Sequence, residues 1–114
     1  MTDIEFFDQQ GKAIAYSPDG DRIYSWSGQA VGFFRGDAVY DNRGSHLGWR
    51  HNGWIVDRFG NHSLFSQNAT GGPLKPLRQL PPLKGLRQLA PMKPLTGLAG
   101  MKPFARFNWG SSVF

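Results

Sequence analysis

Six cations stand in a fixed relation to a line of apolar residues: Lys75, Arg78, Lys84, Arg87, Lys93 and Lys102 each directly follow a Leu or Met. A charged head on an aliphatic stem beside leucine suits adsorption to an anionic lipid or acidic protein surface, because the stem lies along apolar matter while the head stays wet. A second set is aromatic. Tyr16, Phe33, Trp49 and Phe65 each fall five residues after a glycine (Gly11, Gly28, Gly44 and Gly60), and four such rings could form a core or line a ligand site.

The remaining candidates argue against catalysis. Asp8, Asp41 and Asp57 have no evident partner, and each stands where a turn favours an Asx side chain. His46 and His62 occupy equivalent positions two residues after their glycines, but their counterparts Ala13 and Ala30 cannot bind a metal. Two imidazoles without a carboxylate or thiolate make a poor metal site. Gly71-Gly72 lacks the Gly-Lys-Ser/Thr ending of a phosphate loop. No catalytic residues, metal ligands or cofactor are expected, and the chain reads as a non-enzyme.

The glycines that place the aromatics recur at intervals of 17, 16 and 16 residues. Four residues before each comes Phe7, Tyr24, Tyr40 or Val56, and three before comes Asp8, Ser25, Asp41 or Asp57. Asp or Ser opening a four-residue turn, with glycine closing it, is a hairpin signal. Asp19-Gly20, Gly36-Asp37 and Asn52-Gly53 supply the alternate turns. Strands are predicted near residues 4–8, 12–17, 22–26, 29–34, 38–41, 45–50, 54–57 and 61–66. Units this small must stack to bury an apolar face, so residues 1–72 should form one domain of four hairpins about a pseudo-fourfold axis, a shallow all-β barrel. The small residues Ala15, Gly32 and Gly48, one before the aromatics, point to crowding or a ring edge on the opposite face.

Residues 73–114 follow another rule. Leu74, Leu77, Leu80, Leu83, Leu86, Leu89, Met92, Leu95, Leu98, Met101, Phe104 and Phe107 are spaced by three, and Leu-Lys-Pro-Leu-type segments recur every nine residues in four copies. A period of three with many prolines fits polyproline II and excludes a long α-helix. The stretch would reach about 100 Å if straight, so it must wrap, fold back or project. Four nonapeptides beside four hairpins suggest a tail packed on the repeat domain, of its own chain or of a neighbouring subunit. Phe104, Phe107, Trp109 and Phe114 look like an anchoring end.

Charge divides along the same boundary. All eight acids precede Gly72, where six basic residues make that part −2; the tail carries seven basic residues and no acid. Cysteine is absent, so no disulfide framework is available. The opening Met1-Thr2-Asp3-Ile4-Glu5 lacks the pattern of a signal peptide, and no apolar run reaches membrane-spanning length. A cytoplasmic protein, with peripheral association to a membrane, is expected.

Taken together, Gly11-Lys12-Ala13-Ile14-Ala15-Tyr16, Ile23-Tyr24-Ser25-Trp26-Ser27-Gly28, Ser45-His46-Leu47-Gly48-Trp49, Asp57-Arg58-Phe59-Gly60 and above all Gly71-Gly72-Pro73-Leu74-Lys75-Pro76-Leu77 resemble the four-fold β-flower domain of small bacterial proteins. The resemblance spans nearly the whole chain. It implies a petal-like barrel of approximate fourfold symmetry and brings no established activity or catalytic residues. Such folds look somewhat like tubby-type lipid-binding domains, an analogy at the level of fold alone.

Two functions follow as expectations. One is a non-enzymatic binding module whose cationic-apolar tail or aromatic layer meets an anionic lipid surface. The other is a structural or protein-interaction module, its leucines spent on its own barrel or on a homo-oligomer. Nucleic acid is disfavoured, since the basic tail has no aromatic before Phe104 on which bases could stack.

Overall fold

The computed structural model describes residues 3–114. Met1 and Thr2, part of the start read above for a leader and of the first expected domain, lie outside the described residues. Eight strands follow one another: β1 (Ile4–Phe7), β2 (Ala13–Ser17), β3 (Arg22–Ser25), β4 (Ala30–Arg35), β5 (Ala38–Asp41), β6 (His46–His51), β7 (Trp54–Asp57) and β8 (His62–Ser66). Each pairs antiparallel with the next, and β1 closes on β8 through Phe6↔Ser66 and Phe7↔Phe65, giving a closed all-β barrel. The turns form by the expected chemistry. Asp8 Oδ1 accepts from the backbone N–H of Gln10 and Lys12, Asp41 Oδ1 from Arg43 and Ser45, and Asp57 Oδ1 from Phe59 and Asn61.

The strands' two faces do different work. The inward face carries large-on-small pairs directly across three hairpins, Phe6↔Ala15, Ile23↔Gly32 and Val39↔Gly48, and a pair of large residues, Ile55↔Leu64, across the fourth. A Cβ on Gly32 or Gly48 would stand closer than 3.0 Å to the carbonyl oxygen of Tyr40 or Val56 in the next strand. Crowding inferred from the small residues is therefore a close approach of backbones inside a narrow barrel. One residue past each inward odd-strand residue the register shifts, at Phe6/Phe7, Ile23/Tyr24, Val39/Tyr40 and Ile55/Val56. These four bulges sharpen the local twist and bend, and so help eight short strands to close.

The outward face carries the aromatics. Tyr16 stands opposite Tyr24, Phe33 opposite Tyr40, Trp49 opposite Val56 and Phe65 opposite Phe7, so each aromatic pairs with the conserved-spacing residue of the neighbouring unit. Ring centroids lie 5.8 Å apart for Tyr16–Tyr24, 5.6 Å for Phe33–Tyr40 and 5.6 Å for Phe7–Phe65.

Residues 74–107 carry no helix or strand and run around the barrel. Their path meets the four glycine turns in order: a Cβ on Gly11, Gly28, Gly44 or Gly60 would come within 3.0 Å of the carbonyl oxygen of Leu77, Leu86, Leu95 or Phe104. Gln79 N–H donates to the Gly11 carbonyl at 2.8 Å, Gln88 to Gly28 at 2.8 Å and Arg106 to Gly60 at 2.8 Å, so the tail is held as backbone on backbone. Trp109 then bridges to His62 in parallel, with His62 N–H donating to Asn108 and Gly110 N–H to His62, both at 2.8 Å.

The last residues turn inward at one broken symmetry. Ile14, Val31 and Leu47 occupy equivalent positions and pack against the interior cluster, together with Val113 and Phe114. The fourth equivalent is Ser63, which is buried; its hydroxyl donates to Ser111 O at 3.0 Å and accepts from Val113 N–H at 2.9 Å. A hydroxyl in place of the fourth apolar side chain thus satisfies the incoming backbone.

Gly28 and Gly20 separate two roles of a turn glycine. Both have positive φ, +99° and +76°, but Gly20 has open space where a Cβ would stand. Gly20→Ala should cost about 1 kcal/mol for backbone strain, and Gly28→Ala about 2 kcal/mol more because the tail must move. Denaturant unfolding, with trypsin cleavage after Arg87 as a probe of tail release, checks this. Equal costs and equal cleavage would show that the tail is not seated on the glycine.

Candidate binding surface

Of the tail's three faces, the one bearing cations and small residues is turned to the barrel. Lys84 Nζ sits 2.8 Å from Asp3 Oδ2 and 2.7 Å from Glu5 Oε2, and over the rings of Tyr16 (4.6 Å) and Trp26 (4.9 Å). Burial opposes its charge, yet the two carboxylates outweigh burial and hold its pKa above the ordinary lysine value. Lys93 pairs with Asp21 and lies 5.5 Å from the Phe33 centroid. Lys102 donates to the Arg50 carbonyl at 2.8 Å and stands 3.7 Å from Asp37, while Lys75 donates to the Ala69 carbonyl. The guanidinium groups of Arg78 and Arg87 lie over Phe7 (5.3 Å) and Tyr24 (5.7 Å). Ala90, Ala99 and Ala105, in the same phase, pack against the outward aromatics.

The leucine phase is turned away. Leu74 through Phe104, twelve minus one of the three-residue series, are 91–103% exposed, and Phe107 is 77% exposed. The leucines, which one of the two expectations spent on the chain's own barrel, are therefore left in solvent. The reason is the barrel's outer surface, which offers aromatic rings edged by Asp3, Glu5, Asp21 and Asp37. Lysine satisfies both at once, with its stem and ammonium on the ring and its charge beside a carboxylate. Leucine satisfies only the first.

The four sequence-predicted aromatics do not gather about a common cavity. Tyr16, Phe33 and Phe65 are buried and Trp49 half-buried, spread around the outside of the barrel beneath the tail. The structure adds residues that the pattern of cations did not flag. Lys12, Arg43, Arg58 and Phe59 are exposed on or beside the glycine turns and therefore stand near the tail; Phe59 is 67% exposed. Their signal was present in the sequence, as an exposed Arg-Phe pair inside the Asp57–Gly60 turn.

His46 and His62 are separately enclosed. His46 lies 4.8 Å from the Trp49 ring, and His62 lies 4.5 Å from Trp54. Among the described residues no group of three or more His, Asp or Glu is placed to hold a metal ion.

With eight strands in fourfold series and a tail spanning them, the pattern can be set beside known families. A family model described as 4-fold beta flower protein matches residues 4–114. The chain belongs to this beta flower family. No curated protein and no solved structure matches it. The matched span includes the tail, so the Leu/Lys/Pro segment belongs to the family pattern and is not an appendage to it.

The histidines give the beta flower a pH dependence. Burial pushes both imidazoles below the ordinary value of 6.5, and His46 Nε2 and His62 Nδ1 have no hydrogen-bond partner. The unfolded chain therefore binds protons that the folded one refuses, and stability rises with pH through this window. Stability should be full above about pH 6.5 and fall as pH drops below it. Urea unfolding at pH 8 and pH 5 measures the slope, and His62→Gln should flatten it. An unchanged slope in that variant would remove His62 from the account.

Proposed function

We propose that this beta flower is a non-enzymatic binding module that applies its tail to an anionic lipid surface, as a peripheral membrane protein. The observation that carries this reading is the exposure of twelve large apolar side chains, 77–103%, along one unbroken series. Exposed apolar patches on this scale ordinarily mark a surface that meets a membrane or a partner. In this reading the tail is a polyproline-II-like ribbon, supported by its period of three and by the separation of leucine and lysine onto different faces.

Charge favours a membrane as the occupant. The chain is +5 overall, and exposed Lys12, Arg43, Arg58, Arg78, Arg87 and Arg106 accompany the leucines. The neighbouring carboxylates Asp8, Asp41 and Asp57 are engaged by turn N–H groups. Burying one leucine contributes roughly 1.5–3 kcal/mol, and a cation near an anionic bilayer adds about 1 kcal/mol. Three leucines with two arginines therefore exceed the marginal hold of one acyl chain. Among the described residues no helix is long and apolar enough to cross a membrane, so contact by this route would be superficial.

Co-sedimentation with vesicles of phosphatidylglycerol and phosphatidylcholine, against phosphatidylcholine alone, tests the proposal. Binding is expected to the first and to weaken as salt rises. The triple variant Leu83→Ser, Leu86→Ser, Leu89→Ser should keep its stability within about 0.5 kcal/mol, since these side chains touch little of the barrel, and lose at least tenfold in vesicle affinity. Failure to pellet with anionic vesicles at low salt would end the lipid reading. Self-association abolished by the same variant would replace it with an assembly surface.

A further inference from the structure

At the end of the barrel away from the glycine turns, the inward position one residue after each aromatic is filled by Ser17, Phe34, Arg50 and Ser66. Three of these are buried and internally satisfied. Ser17 Oγ donates to Arg22 O at 2.7 Å and accepts from Gly20 N–H, Ser66 Oγ accepts from Asn68 N–H, and Phe34 packs on Phe6 with centroids 6.2 Å apart. Arg50 departs from the pattern. A guanidinium stands where the symmetry elsewhere places a small or apolar group, laid 4.2 Å from the centre of the Phe34 ring.

Arg50 lines a cavity of about 470 Å³ together with Ile4, Phe6, His51, Asn52 and Trp54. That volume lies within the usual range for small-ligand pockets, and the mouth of a β-barrel is a common place for one. Lys102 and Asp37 also border it, 3.7 Å apart, so that one charge of each sign faces the other at the rim. Arg50 has no carboxylate partner among the described residues. It is half-buried, and its fork of donors is left without the planar acceptor that it fits.

We infer that this cavity binds a small organic anion, with its carboxylate or phosphate on the Arg50 guanidinium and its apolar part against Ile4 and Phe6. An aromatic ring beneath the guanidinium fixes the plane of the fork, in a lining that mixes Ile4 and Phe6 with the polar Asn52, Ser66 and Asn68. The Arg50 backbone is itself secured, its N–H donating to Asp37 O at 2.7 Å and its carbonyl accepting from Lys102 Nζ at 2.8 Å. The tail therefore contributes one wall of the pocket, and Arg50 supplies its charge.

Titration of the intact chain with benzoate, phenyl phosphate and neutral benzamide, followed by two-dimensional NMR, tests this. Benzoate or phenyl phosphate should shift the Trp54 indole and Arg50 side-chain signals with saturation in the millimolar range or tighter, and benzamide should bind at least tenfold more weakly. Binding by only one of the two anions would identify the charged group. Arg50→Gln should lose at least tenfold in anion affinity, with Arg50→Lys intermediate. Equal binding of benzamide, unchanged binding in Arg50→Gln, or shifts that map away from this end of the barrel would overturn the assignment. The comparison of benzoate with benzamide on the unmodified protein decides even if Arg50→Gln does not fold.

Discussion

Everything in this molecule depends on four absent methyl groups. At Gly11, Gly28, Gly44 and Gly60 the tail's carbonyl oxygens occupy space in which a Cβ would otherwise stand. The same glycines close the hairpin turns with their N–H groups bonded to Asp8, Ser25, Asp41 and Asp57 carbonyls, at 2.9–3.1 Å. One residue type therefore sets the turn and admits the strap that covers the turn's aromatic neighbours. Backbone contact of this kind does not depend on the leucines of the strap, which leaves that face free for other uses.

The barrel accepts such a strap because its two surfaces divide the work. Inside, in three of the four hairpins a large residue of the odd strand lies over a small residue of the even strand, and the narrow bore follows from that alternation. Outside, three of the four cross-strand pairs are ring on ring, and the barrel without its tail would expose them. Burying an aromatic contributes on the order of a few kcal/mol, so bare pairs around the outside would be a strong liability for a domain this small. The strap covers them with lysine stems, arginine planes and alanines. Its ammonium groups, in turn, neutralise Asp3, Glu5, Asp21 and Asp37, which accounts for the acids being confined to one part of the chain and the unopposed cations to the other.

Much of this was legible beforehand. Asp-x-x-Gly spacing located the turns, and alternation between turns located the strands, because both are local chemistry. The period of three showed that the tail was ordered by something other than a helix. What the pattern could not reveal was which phase faces inward, since leucine is the default choice for a buried face and lysine for a solvated one. That default fails here because the receiving surface is aromatic and acid-edged, a property of strands that only closure brings together. Ser63 and Arg50 were hidden for a related reason. Each is an exception within a repeat, and its meaning depends on what the other three equivalents do in space.

The nine-residue step is a consequence of circumference. On the proposed polyproline-II-like reading, a rise of roughly 3.1 Å per residue covers about 28 Å in nine residues, and a quarter of the way around a body 35 Å across is about 27 Å. Each nonapeptide thus carries the strap from one glycine turn to the next, and the lysine that recurs once per turn is engaged by the barrel each time, by rings and carboxylates at Lys84 and Lys93 and by backbone carbonyls at Lys75 and Lys102. Leucine, by contrast, recurs three times as often as this geometry requires and buries almost nothing at any of those positions. Covering and bridging the petals would be served as well by serine or glutamine there. A chain that engages its tail lysines on its own barrel and turns its leucines outward has its fold completed without those leucines, and they, with the exposed arginines, are what it has left to offer to another surface.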